Sequence, residues 1–262
     1  DYVYTGPESI ILRQTDYGSY TGELPTVSTQ LHRFALDGVN ATHTGSGQVS
    51  GYVQGSYALD ERDGVIRASV TEELYENAGD AGAGYEYIGT ATRVVTLSAE
   101  TFAELGRTAD IGAPTYSYAA QFFGDRGFVS ISGTTYELAV IDLSDPTAPT
   151  IASRIATPGY SSLLYPLSRA TVLSLNQATD ASGSYPAVAL QLIDLSVAGA
   201  PSVKHELVFT EPGYTDASYE QRALAIHPSR NLIAFPHQNY NTGLTSLEVV
   251  RVSASTGFSR VG

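Results

Sequence analysis

A repeat of about 50 residues runs through this chain and restricts the folds open to it. Residues 138–155 read LAVIDLSDPTAPTIASRI and residues 190–207 read LQLIDLSVAGAPSVKHEL, so the same Ile-Asp-Leu-Ser core returns after 52 residues. In both copies a Pro-containing turn separates two runs of alternating apolar and polar residues, which is the pattern of a β-hairpin. Repetition at this period indicates an architecture built by stacking one supersecondary unit.

Weaker copies of the hairpin begin near Leu31, Arg93 and Leu247, and another strand pair precedes each copy. Turns of these preceding pairs are expected at residues 6–8, 61–64, 124–127, 168–170 and 227–231. The unit is therefore four strands, which predicts an all-β fold, a β-propeller with about five four-stranded blades. The approximate blades are residues 1–54, 55–112, 113–159, 160–212 and 213–262, within a single domain. A β-sandwich with coincidental internal similarity is the alternative.

Composition agrees with a strand-rich fold. The 262 residues include 25 Gly, 12 Pro and 18 Tyr, and only 16% are charged. Glycine and proline mark turns, whereas Tyr and the β-branched residues suit half-buried pleated surfaces. Two long polar segments, 76–84 and 178–186, are expected to be loops on one rim of a blade.

The formal net charge of −13 argues against two kinds of partner, nucleic acid and an anionic membrane surface. A nucleic-acid binder needs clustered Lys and Arg, and an anionic membrane surface would repel this chain. No apolar run reaches the roughly 18 residues of a membrane-spanning helix. There is no Cys, so a disulfide, a thiolate metal site and a catalytic thiol are all excluded. There is no Met either, so Asp1 is not a translation start and we expect the chain to be a processed product or part of a longer protein.

Four motifs occur here in a characteristic order. They are a Gly-x-Gly-x-Val-x-Gly turn from Gly45, an Asp-Glu-x-x-Gly-x-x-Arg segment from Asp60, an Ile-Asp-Leu-Ser-Asp-Pro hairpin from Ile141 and the segment Pro-Gly-Tyr-Ser-Ser from Pro158. In this the chain resembles bacterial and archaeal secreted proteins with a C-terminal β-propeller domain distantly related to WD40 repeats.

The resemblance extends over nearly the whole chain. It implies a propeller fold and a secreted or cell-surface location, either extracellular or periplasmic. Members of that group are usually longer, so the chain resembles the later part of such a protein, and its blades could belong to a seven- or eight-bladed ring. The missing N-terminal segment would then be one of its partners. The resemblance implies no catalytic residues.

One loop has the composition of a cation site. Asp60, Glu61 and Asp63 crowd a single turn before Gly64, and hard cations such as Ca²⁺ favour clustered carboxylates. The spacing is not that of an EF-hand, and turn chemistry alone also explains Asp and Gly here. Calcium is thus a candidate cofactor, although the fold requires none, and Glu61 is expected to pair with Arg67 across the hairpin.

The five histidines are His32, His43, His205, His227 and His237. We expect His32 and His43 on adjacent strands of one hairpin, and His227 and His237 at the two ends of another. A transition-metal site needs several ligands in compatible geometry. Ordinary surface or turn positions are the preferred interpretation of these histidines.

Two repeated acidic residues, Asp142 and Asp194, occupy equal positions in the best-matched hairpins. Repetition favours a structural role, in which each carboxylate accepts backbone hydrogen bonds at a strand end. A catalytic pair is the less favoured interpretation. The sequon Asn40-Ala41-Thr42 matters only in an exported protein whose host glycosylates asparagine.

Three functions remain open from the sequence. The leading hypothesis is a non-enzymatic extracellular binding or scaffold module with a protein or glycan ligand. The second is a secreted hydrolase of polysaccharide or peptide, with carboxylates in the propeller channel. The third is a metal-stabilised subunit of a larger cell-surface assembly.

Overall fold

The computed structural model describes residues 2–18, 26–77, 84–112, 116–133, 135–179, 186–197, 200–218 and 220–262. Most of the two expected rim loops, residues 78–83 and 180–185, lies outside these ranges. The helices in the described ranges are 3-10 turns at Asp216–Ser218, Gln221–Ala223 and Pro228–Arg230. None of the described helices has the length and apolar character needed to cross a membrane.

The described strands form antiparallel sheets in which successive strands of the chain lie side by side. The first sheet contains β1 (Tyr2–Thr5), β2 (Ser9–Asp16), β3 (Ser28–Asp37) and β4 (Asn40–Ser50). The second contains β5 (Tyr52–Val53), β6 (Leu59–Arg62), β7 (Val65–Asn77), β8 (Tyr85–Ser98) and β9 (Glu104–Arg107).

Three further sheets follow in chain order. The third contains β10 (Tyr116–Phe123), β11 (Arg126–Ser132), β12 (Tyr136–Asp142) and β13 (Thr150–Ala156). The fourth contains β14 (Gly159–Ser168), β15 (Thr171–Thr179), β16 (Pro186–Asp194) and β17 (Ser202–Val208). The fifth contains β18 (Gly213–Tyr214), β19 (Ala225–His227), β20 (Leu232–Asn239), β21 (Thr245–Ser253) and β22 (Gly257–Arg260). The predicted all-β fold of repeated four-stranded sheets is confirmed.

Two sheets depart from a simple four-strand plan because their first strand is broken into two short pieces. In the second sheet β5 and β6 both pair with β7, and in the fifth β18 and β19 both pair with β20. Gly51 and Gly55, with φ of +89° and +85°, flank β5. Such angles are open to glycine and turn the chain away from the sheet.

Contacts along the chain divide it into two compact units. The first comprises residues 1–133 and 141–151, and the second comprises residues 134–140 and 152–262.

Each unit has its own apolar core. In the first unit Ile11, Leu31, Ile66 and Phe128 are fully buried. In the second unit a continuous cluster includes Leu173, Leu190, Phe209 and Phe235. The rings of Phe209 and Phe235 meet edge to face with 5.7 Å between their centroids. Burial of aliphatic and aromatic side chains is the main favourable contribution to folding in such sheets.

The first sheet has two unlike faces. Tyr4, Ile11, Arg33 and Gly45 lie opposite one another on successive strands and share one face. This face packs against the second sheet, where the ring of Phe102 would lie 2.9 Å from a Cβ added at Gly45.

The other face of the first sheet carries the row Val3, Leu12, His32 and Ser46. On this face Val3 is 56% exposed and Leu12 is 39% exposed. The first sheet is therefore covered on one face and open to solvent along this row.

Candidate functional site

The acidic turn at Asp60–Gly64 joins β6 to β7 in the first unit. Arg62 pairs with Val65, which leaves Asp63 and Gly64 as a two-residue loop. Their φ angles are +52° and +76°, the left-handed conformation that tight hairpins require and that Asp-Gly supplies. The predicted turn is confirmed, and its neighbours fall on a regular pair of strands.

Asp60 faces the third sheet. Its carboxylate accepts two hydrogen bonds from the guanidinium of Arg67, the residue directly opposite on β7. Arg67 also donates to the carbonyl oxygen of Gly124 at 2.5 Å and lies over the ring of Phe122. One buried arginine thus joins the turn of the second sheet to the turn of the third.

Glu61 faces the first sheet instead. Its two carboxylate oxygens accept from Nε and Nη2 of Arg33, both at 2.8 Å, and Ser9 donates its hydroxyl at 2.7 Å. Burial disfavours the charged form of Glu61. The hydrogen bonds from Arg33 and Ser9, with the charge of Arg33, outweigh that effect and lower the pKa of Glu61. This is a bidentate, partly buried ion pair between two sheets.

The structure therefore does not bring the three acidic side chains of the turn together. Neighbouring residues on a strand point to opposite faces, which separates Asp60 from Glu61. Asp63 lies at the tip with its side chain 84% exposed and accepts from Arg62 at 3.1 Å. In the described part of the chain no three His, Cys, Asp or Glu side chains form a group that could hold a metal ion. Calcium at this turn stays a prediction, and it would have to compete with the arginines.

The expected pairing of Glu61 with Arg67 is wrong. Glu61 lies opposite Ile66, whereas Arg67 lies opposite Asp60. The two residues are one position out of register, so their side chains leave opposite faces of the sheet.

The repeated aspartates, Asp142 and Asp194, have the predicted structural role. Asp142 Oδ1 accepts from the backbone N–H of Ser144 at 2.9 Å, and Asp194 Oδ1 accepts from that of Ser196 at 2.8 Å. Side-chain and backbone hydrogen bonds from Ser196 lower the pKa of Asp194, and backbone and side-chain hydrogen bonds from Ser144 lower that of Asp142. Each carboxylate closes an Asx turn at the end of its strand.

The histidines divide between the two units. His32 and His43 lie on β3 and β4, as predicted, and both contact the hydroxyl of Ser46. His227 is exposed beside Ser229, whereas His237 is buried, so the structure does not bring these two together.

A buried carboxylate, that of Glu248, lies beside His237 in the second unit. Glu248 accepts hydrogen bonds from Ser246 at 3.0 Å and from Arg260, and its Oε1 is 3.9 Å from His237 Nδ1. Burial lowers the pKa of His237, although the charge of Glu248 acts in the opposite direction. The most buried carboxylate of the described residues is thus neutralised by an arginine.

The second unit also contains an apolar pocket between the fourth and fifth sheets. Its volume is about 240 Å³, and its wall includes Leu167, Leu192, Ile226, Leu232 and Ile233. Ile226 is 37% exposed at the mouth. A concave apolar surface with a few polar groups at its rim is the usual form of a ligand pocket.

Turns of both sheets form the rim of this pocket. Ser168 and Thr171 flank the turn between β14 and β15, and His227 and Asn231 flank the turn between β19 and β20. Asn231 has φ of +53° and ends the 3-10 turn Pro228–Arg230 in the left-handed conformation. The mouth of the pocket therefore carries hydroxyl, imidazole and amide groups around an apolar interior.

The family model for the β-propeller domain matches residues 1–262. The chain belongs to this family. Two similar relatives are uncharacterised archaeal proteins. One, from Methanocaldococcus jannaschii, is 26% identical over 135 residues, which are 52% of this chain and 20% of that protein. The other, from Archaeoglobus fulgidus, is 26% identical over 216 residues, which are 80% of this chain and 31% of that protein.

A solved structure has a similar fold. It is a functionally unknown protein from Desulfotomaculum acetoxidans, with a TM-score of 0.54, 7% sequence identity, and coverage of 97% of this chain and 66% of that one. As for the two archaeal relatives, this propeller chain matches less than a third of the length of each.

Sequence reasoning missed the apolar pocket and the arginine partners of the acidic turn. The pocket residues come from turns of two blades some 60 positions apart, so no local pattern marks them. Arg33 was equally hidden, because 28 positions separate it from Glu61. The sequence did contain one signal, namely single charged residues within apolar strands. A charged side chain at such a position needs an oppositely charged partner.

Proposed function

We propose that this propeller domain is a binding module of an exported protein, and that it takes an apolar side chain of a polypeptide partner into the pocket beside Ile226. The observation that carries the proposal is the pocket itself, apolar within and rimmed by turns. Loops and turns on a rigid sheet scaffold are where binding surfaces commonly form.

The size and lining of the pocket favour an apolar side chain. A space of about 240 Å³ exceeds the volume of a leucine or phenylalanine side chain and is small for a whole oligosaccharide. Burying such a side chain contributes about 1.5–3 kcal/mol, which corresponds to roughly 10- to 100-fold in affinity. Peptide backbone groups flanking it would meet the polar rim at Ser168, His227 and Asn231.

Electrostatics support binding over acid–base chemistry. The two least exposed carboxylates in the ion pairs described, Glu61 and Glu248, are both engaged by arginines. A general acid or base needs a carboxyl group that can reach the proton it transfers. Neither of these two carboxylates is therefore free to act as a general acid or base.

The test is selection of ligands from a phage-displayed peptide library on the purified chain, followed by affinity measurement with fluorescent peptides. We expect selected peptides to share a Leu, Ile or Phe position. The variant Ile226→Glu, which puts a charge at the pocket mouth, should weaken their binding at least 10-fold.

The matched control is Leu247→Glu. Leu247 is 64% exposed in the same unit and does not line the pocket, so this variant should bind the peptides as the parent does. Equal binding to Ile226→Glu and the parent would contradict the pocket as the site. Cleavage of the peptides by the chain, detected by mass spectrometry, would contradict the binding-module proposal.

A further inference from the structure

Two histidine rings converge on one serine hydroxyl on the open face of the first sheet. His32 Nδ1 lies 2.7 Å from Ser46 Oγ, and His43 Nε2 lies 3.0 Å from the same oxygen. The ring centroids are 6.4 Å apart. Because one hydroxyl has a single hydrogen, it donates to one ring and accepts N–H from the other.

A β-bulge in β4 creates this arrangement. The pairing register shifts between Arg33, which lies opposite Gly45, and Phe34, which lies opposite His43, so Thr44 is the extra residue. Without the bulge, His43 and Ser46 are three positions apart and would point to opposite faces. Phe34 then packs edge-on against the His43 ring, with 5.2 Å between centroids, and restricts its rotation.

We propose that His32, His43 and Ser46 bind a divalent transition-metal ion, with Cu²⁺ preferred. Neutral imidazole nitrogens are ligands for copper, nickel and zinc at about 2.0–2.1 Å. Each of the two ring nitrogens lies at most 3.0 Å from Ser46 Oγ. An ion placed between the nitrogens therefore also lies within 3.0 Å of that oxygen. An ion held by both rings is thus within reach of the hydroxyl oxygen, and water completes the coordination.

Copper is the preferred ion because Cu²⁺ stands highest in the divalent series for imidazole ligands. The ring centres are 6.4 Å apart and both ligating nitrogens point at Ser46 Oγ, so an ion close to that oxygen is reached by both rings.

Access and charge also suit a cation. His43 and Ser46 are exposed, so an ion can enter from solvent. The nearest cationic side chain on β3, Arg33, points to the opposite face and is paired with Glu61. No desolvated charge therefore has to be displaced when the ion binds.

The test is calorimetric titration of the whole chain with CuCl₂, NiCl₂ and ZnCl₂, with electron paramagnetic resonance of the copper form. We expect one equivalent of Cu²⁺ to bind most tightly, with nitrogen hyperfine structure from two imidazoles. His32→Gln and His43→Gln should each weaken that site at least 10-fold and remove one nitrogen from the spectrum. Ser46→Ala should weaken it less.

The matched control is His227→Gln, an exposed histidine of the other unit, which should bind copper as the parent does. Circular dichroism should show parent-like folding for His43→Gln, since that side chain is exposed. Copper binding unchanged in both His32→Gln and His43→Gln would overturn the site. Tighter binding of Zn²⁺ than of Cu²⁺ would overturn the preference for copper.

Discussion

Adjacent carboxylates in the acidic turn have opposite surroundings. Asp60 turns to Arg67 and the third sheet, and Glu61 turns to Arg33 and the first sheet. The alternation of side chains along β6 is the whole cause, because residues one apart on a strand leave different faces. Acidic residues directly adjacent on a strand are therefore separated in space, because they lie on opposite faces of the sheet.

Removing the charge of Glu61 should be costly. The change Glu61→Gln leaves Arg33, whose side chain is only 16% exposed, without its anion. We expect the free energy of unfolding to fall by about 2–3 kcal/mol, since breaking a buried pair leaves an uncompensated charge. Urea denaturation at neutral pH measures the change. Asp63→Asn is the control, and because Asp63 is exposed it should leave stability nearly unchanged.

The same pair gives a pH signature. The pKa of Glu61 is lowered from its ordinary value of 4.5, so the folded state binds the proton less readily than the unfolded state does. The stability contributed by the charged group is present above 4.5 and is lost as the pH falls through the lower folded-state pKa. The difference between parent and Glu61→Gln should therefore shrink in acid. A difference that persists unchanged at pH of about 3 would contradict the ion pair as its source.

Residues whose partners are local could be predicted from the sequence. Asp142 and Asp194 bond to N–H groups two positions away, so turn chemistry alone identifies their role. Glu61 and Arg33 meet across two sheets, and their meeting depends on strand register and sheet packing. Neither the strand register nor the sheet packing can be predicted from a local sequence pattern.

At the level of the elements, the motif Gly45-Ser46-Gly47 has a packing explanation. Phe102, which has φ of +59° after β8, lies across both glycines. A Cβ at Gly47 would overlap the Cβ of Phe102, and no rotation of the ring relieves that overlap. The motif therefore marks where one sheet accepts an aromatic side chain from the next.

The substitution Gly47→Ala should destabilise the first unit by about 1–3 kcal/mol, the usual cost of overpacking a fitted contact. Thermal unfolding followed by circular dichroism measures the shift. Gly84→Ala is the matched control, since no atom lies within 4 Å of its added Cβ. A parent-like midpoint for Gly47→Ala would show that Phe102 does not hold this position in solution.

The hairpins themselves were predictable, because their alternation and turn residues are local signals. The turn at Asp63–Gly64 falls where the sequence placed it. The bulge at Thr44 was not predictable, since a threonine in a strand carries no mark of an extra residue. The convergence of His32 and His43 on Ser46 was hidden for the same reason.

At the scale of the whole molecule, charge is unbalanced. The chain has 27 acidic residues against 14 lysines and arginines. Arg33, Arg67 and Arg260 are paired with carboxylates, and each pair cancels one charge of each sign, so the charge that remains is mainly negative. Self-repulsion of this kind favours solubility and opposes compactness.

Salt should therefore stabilise the protein. Raising NaCl from 0.01 M to 0.5 M shortens the screening length from about 30 Å to less than 10 Å. We expect the midpoint of thermal unfolding to rise by a few degrees at pH 7. The rise should be smaller at pH of about 5, where the net negative charge is reduced. A midpoint that falls with salt would show that ion pairs outweigh the general repulsion.

The repeat predicted the fold class well because a periodic pattern reports the unit that is stacked. Function did not follow from it, since a propeller is a scaffold on which unrelated sites are built. The pocket beside Ile226 depends on turns of two blades and on side chains with no shared motif.

The contacts that the second sheet makes on its two sides restrict where a blade of this sequence can be placed in the chain. Its acidic turn offers Glu61 to Arg33 on one side and, through Arg67, a donor to Gly124 on the other. A blade copied to another position in the gene would carry a carboxylate and a guanidinium to neighbours that lack the matching groups. These two contacts therefore make the second blade specific to its place between its two neighbours.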